Sequence, residues 1–135
     1  MIQEQYVSFK TGKLLKEKGF DEECYHTYHP VEDTMNVVRY HTMSTQKNST
    51  LEDKSECSAP TQSLAMRWLR EVHNIVLSIN PNDHDGTIKW RIEAYKVYLK
   101  NDCLLHEGKI IWNAFLPNYE EACEAAIKYC LENLI

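Results

Sequence analysis

The stretch from Asn118 to Leu134 constrains the fold more than any other part of the chain. Ala122, Cys123, Ala126, Ile127, Cys130, Leu131 and Leu134 recur at spacings of three and four. At 100° per residue they make one continuous apolar stripe. Glu124, Lys128 and Glu132 fall outside it. Asn118 stands at the N-cap position, and Glu121 three residues later completes a capping-box-like arrangement with Asn in place of Ser or Thr. Glu120 and Glu121 also complement the positive end of the helix dipole. A helix with one apolar stripe needs a second layer to bury it. The remaining sequence must supply that layer, and 135 residues is the size of one ordinary domain.

The preceding residues read as two more helices and five strands. Ser8 can cap a helix reaching about Lys18, with Leu14, Leu15 and the preceding Val7 as apolar positions and Gly19 as a left-handed stop. Gly12 inside it costs about 1 kcal/mol relative to Ala. Residues 23–29 and 36–43 are rich in β-formers, with Pro30 and Asp33 suited to a turn between them, so a hairpin is expected. Residues 44–57 are polar and predict a mobile loop. Pro60 suits the first turn of a second helix. Leu64, Trp68, Leu69 and Val72 would share its buried face, and Asn74 would end it.

Residues 75–79 predict a short buried strand, followed by a turn-rich run from Asn80 to Gly86 whose Asp85-Gly86 pair is a hairpin signal. Residues 87–99 alternate. Ile88, Trp90, Ile92 and Ala94 have one parity, whereas Tyr95, Val97 and Leu99 have the other. A period of two cannot change face without a bulge, a twist or burial of the second face. Asn101, Asp102 and Gly108 bracket a further turn, and 109–116 predict a last strand, apolar on both faces. The order is α-β-β-α-β-β-β-α. This is a single α+β domain over residues 1–135, with a mostly antiparallel sheet and helices packed on one face.

Composition narrows the functional classes. Hydrophobic residues at 43% and charged residues at 26% are globular values and argue against whole-chain disorder. A net charge of −5 works against non-specific nucleic-acid binding. The first residues lack a basic stretch followed by an apolar run, and no apolar run approaches the ~20 residues of a membrane span. A cytoplasmic protein without a membrane partner is expected. Five cysteines, an odd number without paired spacing, fit reduced thiols there.

Three constellations could carry function. Tyr95, Val97 and Leu99, with Ile111 and Phe115 on the last strand, form two-sided apolar strands of the kind that meet a protein partner or a second copy. Lys89, Arg91 and Lys96, near Tyr95 and Tyr98, could offer a basic and aromatic strand face to single-stranded nucleic acid. Cys24 and His26 with Cys103 and His106 are possible zinc ligands, although their spacing matches no standard finger, and His29 has the opposite strand parity from His26. No phosphate-binding glycine loop, nucleophile elbow or HExxH pattern occurs, so no cofactor and no catalytic residue is expected. Residues 61–133 have the α-β-β-β-α order of the double-stranded RNA-binding domain. Where that family places lysines, at the start of the last helix, this chain has Asn118-Tyr119-Glu120-Glu121, which would repel phosphate.

Three longer phrases carry a resemblance. They are Tyr6-Val7-Ser8-Phe9 leading into Lys13-Leu14-Leu15-Lys16-Glu17-Lys18-Gly19-Phe20, Ala59-Pro60-Thr61-Gln62-Ser63-Leu64-Ala65 leading into Trp68-Leu69-Arg70-Glu71-Val72-His73-Asn74, and Tyr119-Glu120-Glu121-Ala122 leading into Leu131-Glu132-Asn133-Leu134-Ile135. Together they resemble a family of small uncharacterised proteins of gut Bacteroides and their phages or prophages. The phrases are helix starts and bodies, and the family has no assigned activity. The resemblance implies a bacterial or phage cytoplasm and transfers no functional residue. The sequence thus predicts a non-enzymatic, phage-associated interaction protein that self-associates or binds a protein through its sheet. Nucleic-acid binding and a Cys/His site are the alternatives.

Overall fold

The computed structural model describes residues 2–29, 37–40, 44–110 and 116–135, with the backbone alone described at 37–40, 84, 106 and 108–110. Its elements are α1 (Phe9–Glu17), β1 (His26–His29), β2 (Val37–Tyr40), a 3-10 turn (Asn48–Thr50), β3 (Cys57–Ser58), α2 (Gln62–His73), β4 (Ile75–His84), β5 (Thr87–Lys100), β6 (Cys103–Ile110) and α3 (Tyr119–Asn133). This is the expected α+β class with antiparallel pairing throughout. The strands divide into two three-stranded sheets, ordered β2-β1-β3 and β4-β5-β6. The contacts gather into two compact units, Met1–Leu64 and Ala65–Ile135, with the boundary inside α2.

In the first unit, α1 begins where Ser8 Oγ accepts from the Thr11 amide at 3.2 Å. It ends in a Schellman motif. The Gly19 amide donates to the Lys16 carbonyl at 3.1 Å and the Phe20 amide to the Leu15 carbonyl at 2.9 Å. Gly19 takes φ +93°, which favours glycine. Leu15 and Phe20, the two apolar residues of that motif, are both buried. Gly12 lies against β3. A Cβ there would stand 3.0 Å from the Ser58 carbonyl oxygen and 3.3 Å from Cys57 Sγ. The glycine that weakens the helix is also what lets it approach the strand.

The polar segment 44–57, expected as a mobile loop, is fastened in several places. Asn48 is buried. Its Nδ2 donates to the Phe20 carbonyl at 2.7 Å, and its Oδ1 accepts from the Ser58 amide at 2.8 Å. Gln46 exchanges two main-chain hydrogen bonds with Cys24, each 2.9 Å. Leu51 is buried. Polar side chains here serve as internal partners for main-chain groups that water does not reach. The segment ends in β3, a two-residue strand that the sequence reading lacked, paired with Thr27 and Tyr28. The expected hairpin forms between β1 and β2, from His26 opposite Tyr40 to His29 opposite Val37. Its anticipated turn at Pro30 and Asp33 lies outside the described residues.

Helix α2 starts later than expected. Thr61 Oγ1 accepts from the Leu64 amide at 3.1 Å and caps it, so Pro60 precedes the helix instead of occupying its first turn. The Pro60 carbonyl instead accepts from the Val7 amide at 3.0 Å. In the second unit, Ala65, Trp68 and Leu69 are buried, whereas Val72, expected beside them, is 54% exposed. Asn74 ends the helix in the left-handed region, with φ +56°.

Strand β4 continues through the run read as a turn. Pro81 lies opposite Trp90 and His84 opposite Thr87, leaving only Asp85-Gly86 to turn. Both turn residues have positive φ, 53° and 75°, the backbone of a type I′ hairpin. Pro81 is tolerated because β4 is an edge strand of its sheet. Likewise Asn101-Asp102, at φ 51° and 59°, makes a two-residue turn, and Gly108 belongs to β6 opposite Tyr95 instead of closing a longer loop. Strand β6 begins at Cys103 and takes in the first two residues of the last strand expected at 109–116, of which residues 111–115 lie outside the described set. Leu116 forms an isolated bridge with Trp90.

Helix α3 covers the β4–β5 face of this sheet. Asn118 Oδ1 accepts from the Glu121 amide at 2.8 Å, as its sequence predicts. Ile92, Ala122 and Ala126 form the centre of the packing, with Leu77, Ile79, Trp90, Leu116 and Ala125 around them. The Trp90 and Tyr119 rings meet edge to face with centroids 5.1 Å apart. The stripe from Ala122 to Leu131 is buried as expected.

Candidate functional site

The apolar parity switch in β5 is produced without a bulge. Thr87 to Lys96 pair residue for residue with β4, and Glu93 to Lys100 pair likewise with β6. Ile92 and Ala94 are buried on the face that α3 covers. Tyr95 and Val97 are half-buried on the other face, and Leu99 is 73% exposed. Its cross-strand partner Leu104 is 63% exposed. The neighbouring pair, Tyr98 and Leu105, is exposed at 42% and 37%. Successive pairs in a hairpin point to opposite faces. The tip of the β5–β6 hairpin is therefore apolar on both sides, and the type I′ turn at Asn101-Asp102 holds the pairs in register. Ile111 and Phe115, the other residues of this expected surface, lie outside the described residues.

The basic residues do not make one face. Lys89 and Arg91 share the parity of Tyr95, but Lys96 has the parity of Ile92 and Ala94 and stands opposite Ile75. The strand's period of two separates them. Arg91 Nη2 is also 3.0 Å from Glu93 Oε1, and the Tyr95 hydroxyl donates to the same carboxylate. Arginine and tyrosine are both engaged by one acidic side chain within the strand. Lys89, Arg91 and Tyr95 thus share one strand face, and Lys96 lies on the other.

The Cys/His set is split as well. Cys24 and His26 belong to the first unit, Cys103 and His106 to the second. The His106 side chain is outside the described residues. Cys24 is buried, and its thiol donates to the Glu22 carbonyl at 3.6 Å. Burial pushes the thiols of Cys24 and Cys57 up to about 11 and that of Cys130 up to about 12, and raises that of Cys123. All four stay protonated near neutrality, and a thiol is a poor nucleophile and ligand in that form. Cys103 is exposed. The His26 ring packs on Tyr6, centroids 4.5 Å apart.

A different cluster forms in the first unit. Tyr28 pairs with Cys57, so the next residue of each strand end, His29 and Glu56, also face one another. His29 Nδ1 is 2.6 Å from Glu56 Oε1. The Glu56 amide donates to the Asp53 carbonyl at 3.1 Å, and this turn brings Asp53 back towards the pair. Asp53 Oδ1 accepts from Ser55 at both the amide, 2.9 Å, and the hydroxyl, 2.6 Å. Those two hydrogen bonds hold the Asp53 carboxyl below its usual value, with smaller help from His29 and Lys16. Glu56 also lines a groove of about 650 Å³ with Phe9, Lys13, Lys16, Lys54 and Cys57. Lys16 Nζ donates to the carbonyls of Lys54 at 2.8 Å and Glu56 at 2.6 Å, tying α1 to this turn. Sequence reasoning missed the cluster because it depends on β3, whose two residues carry no periodic signal.

Among the described residues no helix is long and apolar enough to cross a membrane. No protein-family model, no curated protein and no solved structure matches the chain.

Proposed function

We propose that the protein is a non-enzymatic interaction module whose contact surface is the apolar tip of the β5–β6 hairpin, and that the partner seated there is a second copy of the chain. The observation that carries this reading is the exposed cross-strand pair Leu99 and Leu104, backed on the opposite face by Tyr98 and Leu105. Four large apolar side chains at one hairpin end are costly in water and gain about 25 cal/mol per Å² when covered. Strand β6 is the edge of its described sheet. An edge strand is a template for another strand. Natural edges are commonly protected by lysine, proline or a bulge. From Cys103 to His106 the strand has none of the three. Pairing of identical edges about a two-fold axis is self-complementary and needs no other partner.

The five free cysteines suit a reducing compartment, and with the resemblance to Bacteroides and phage proteins they support an accessory role in a bacterial cytoplasm. Light scattering on purified protein tests the core of the proposal. A mass near 32 kDa, twice the 15.9 kDa of the chain, is the expected result. A mass of one chain at all concentrations would overturn it.

A further inference from the structure

We infer that His29, Asp53 and Glu56 form a binding site for a divalent first-row cation in the first unit. One ligand atom from each residue, an imidazole nitrogen and two carboxylate oxygens, lies within 4.8 Å of the others. For metal–ligand bonds of about 2.1 Å, two ligands on one ion stand at most about 4.2 Å apart. Only one pair of the three can stand trans, so donors up to 4.8 Å apart would close by about 0.6 Å as a trans pair and by about 1.8 Å as a cis pair at roughly 3.0 Å. The 2.6 Å contact between His29 and Glu56 must open to about 3.0 Å, the spacing of neighbouring donors on one ion.

The donors come from short, well-fastened pieces of chain. The β1–β3 register sets His29 against Glu56, and the turn from Asp53 to Glu56 supplies both carboxylates. Glu56 is 8% exposed as a residue and is paired with His29, so an ion here would join an existing buried pair. Two carboxylates outweigh the single charge that His29 can carry. Lys16 sends its ammonium to two main-chain carbonyls nearby, and it sets an upper limit on affinity by repelling a cation.

The donor set also indicates the class of ion. Imidazole suits zinc, copper, iron and nickel, while carboxylates suit magnesium, calcium and manganese. One imidazole with two carboxylates fits Mn²⁺ or Zn²⁺, with water at the remaining positions. Any ion held here borders the groove that Glu56 shares with Lys13, Lys16 and Lys54.

Manganese is the better probe, because zinc would also be drawn to the exposed Cys103 thiol. The test is a titration of the full chain with Mn²⁺, following loss of the free-ion electron paramagnetic resonance signal. One ion per chain is expected. Asp53→Asn keeps an oxygen for the Ser55 hydrogen bonds but removes the charge, and it should weaken binding at least tenfold. Asp53 is exposed, so the variant should retain the wild-type circular dichroism. Cys103→Ser should bind as the wild type does. Absence of stoichiometric Mn²⁺ binding by the wild type, or equal binding by Asp53→Asn, would overturn the assignment. The hairpin proposal would stand either way, because Asp53→Asn leaves Leu99 and Leu104 untouched.

Discussion

Gly12 shows how a single residue can mean opposite things locally and in the fold. As part of a helix it is a defect worth about 1 kcal/mol relative to Ala. As part of the packing it is the point where α1 comes within reach of the Ser58 carbonyl. Alanine there regains helix propensity but must displace main chain, and overpacking of this kind costs roughly 1–3 kcal/mol. Gly12→Ala should therefore destabilise the protein, with a lower urea midpoint and an unchanged slope; a raised midpoint would show that α1 and β3 are less tightly apposed. The buried thiols give a second expectation. Their ordinary value is 9.0, and burial raises those of Cys24 and Cys57 to about 11 and that of Cys130 to about 12. Folded values above the unfolded one mean that this stabilisation is complete below pH 9 and is lost as the pH climbs through 11 to 12. Urea midpoints measured from pH 7 upward should show this component intact to about pH 9 and declining beyond it. Replacing Cys130 with Ala should make the alkaline decline shallower, and an equally steep decline would remove that thiol from the cause. These roles were not legible in the sequence for Gly12, Asn48 or the His29–Asp53–Glu56 set, because each depends on residues at least ten positions away.

The elements that the sequence determined best are those whose signals are local. Helix α3 has its cap, acidic first turn and apolar stripe within seventeen residues, and all three appear as expected. Ser8 and Gly19 bound α1 for the same reason. Asn118→Ala should cost about 1 kcal/mol through loss of the hydrogen bond to the Glu121 amide. Thermal unfolding of that variant checks this, and no shift would mean that the cap is replaced by water at no cost. Strand limits were harder to read. The run from Asn80 to Asp83 has turn composition, yet it is paired with β5 to its end, because ladder hydrogen bonds and an edge position override local preference. Gly108 misled in the same way. Strand β3 was invisible, since two residues cannot show a period.

At the scale of the molecule, the α+β class and the helix and strand order are legible, apart from β3. The grouping of strands into two sheets was not, because sheet membership is a matter of long-range pairing. The expected surface at Tyr95, Val97 and Leu99 is sharpened by the pairing of β5 with β6. Its most exposed member, Leu99, joins Leu104, Tyr98 and Leu105 at the hairpin tip, while Tyr95 turns its hydroxyl to Glu93. Placing one lysine on each face of the tip should remove self-association without disturbing the core, because both sites are exposed. The most direct test is sedimentation velocity of the wild type beside the double variant Leu104→Lys, Leu105→Lys, across a hundredfold range of concentration. The wild type should shift from one chain to two as concentration rises, and the variant should sediment as one chain throughout. A wild type that stays a single chain, or a variant that associates equally well, would contradict association through the hairpin tip.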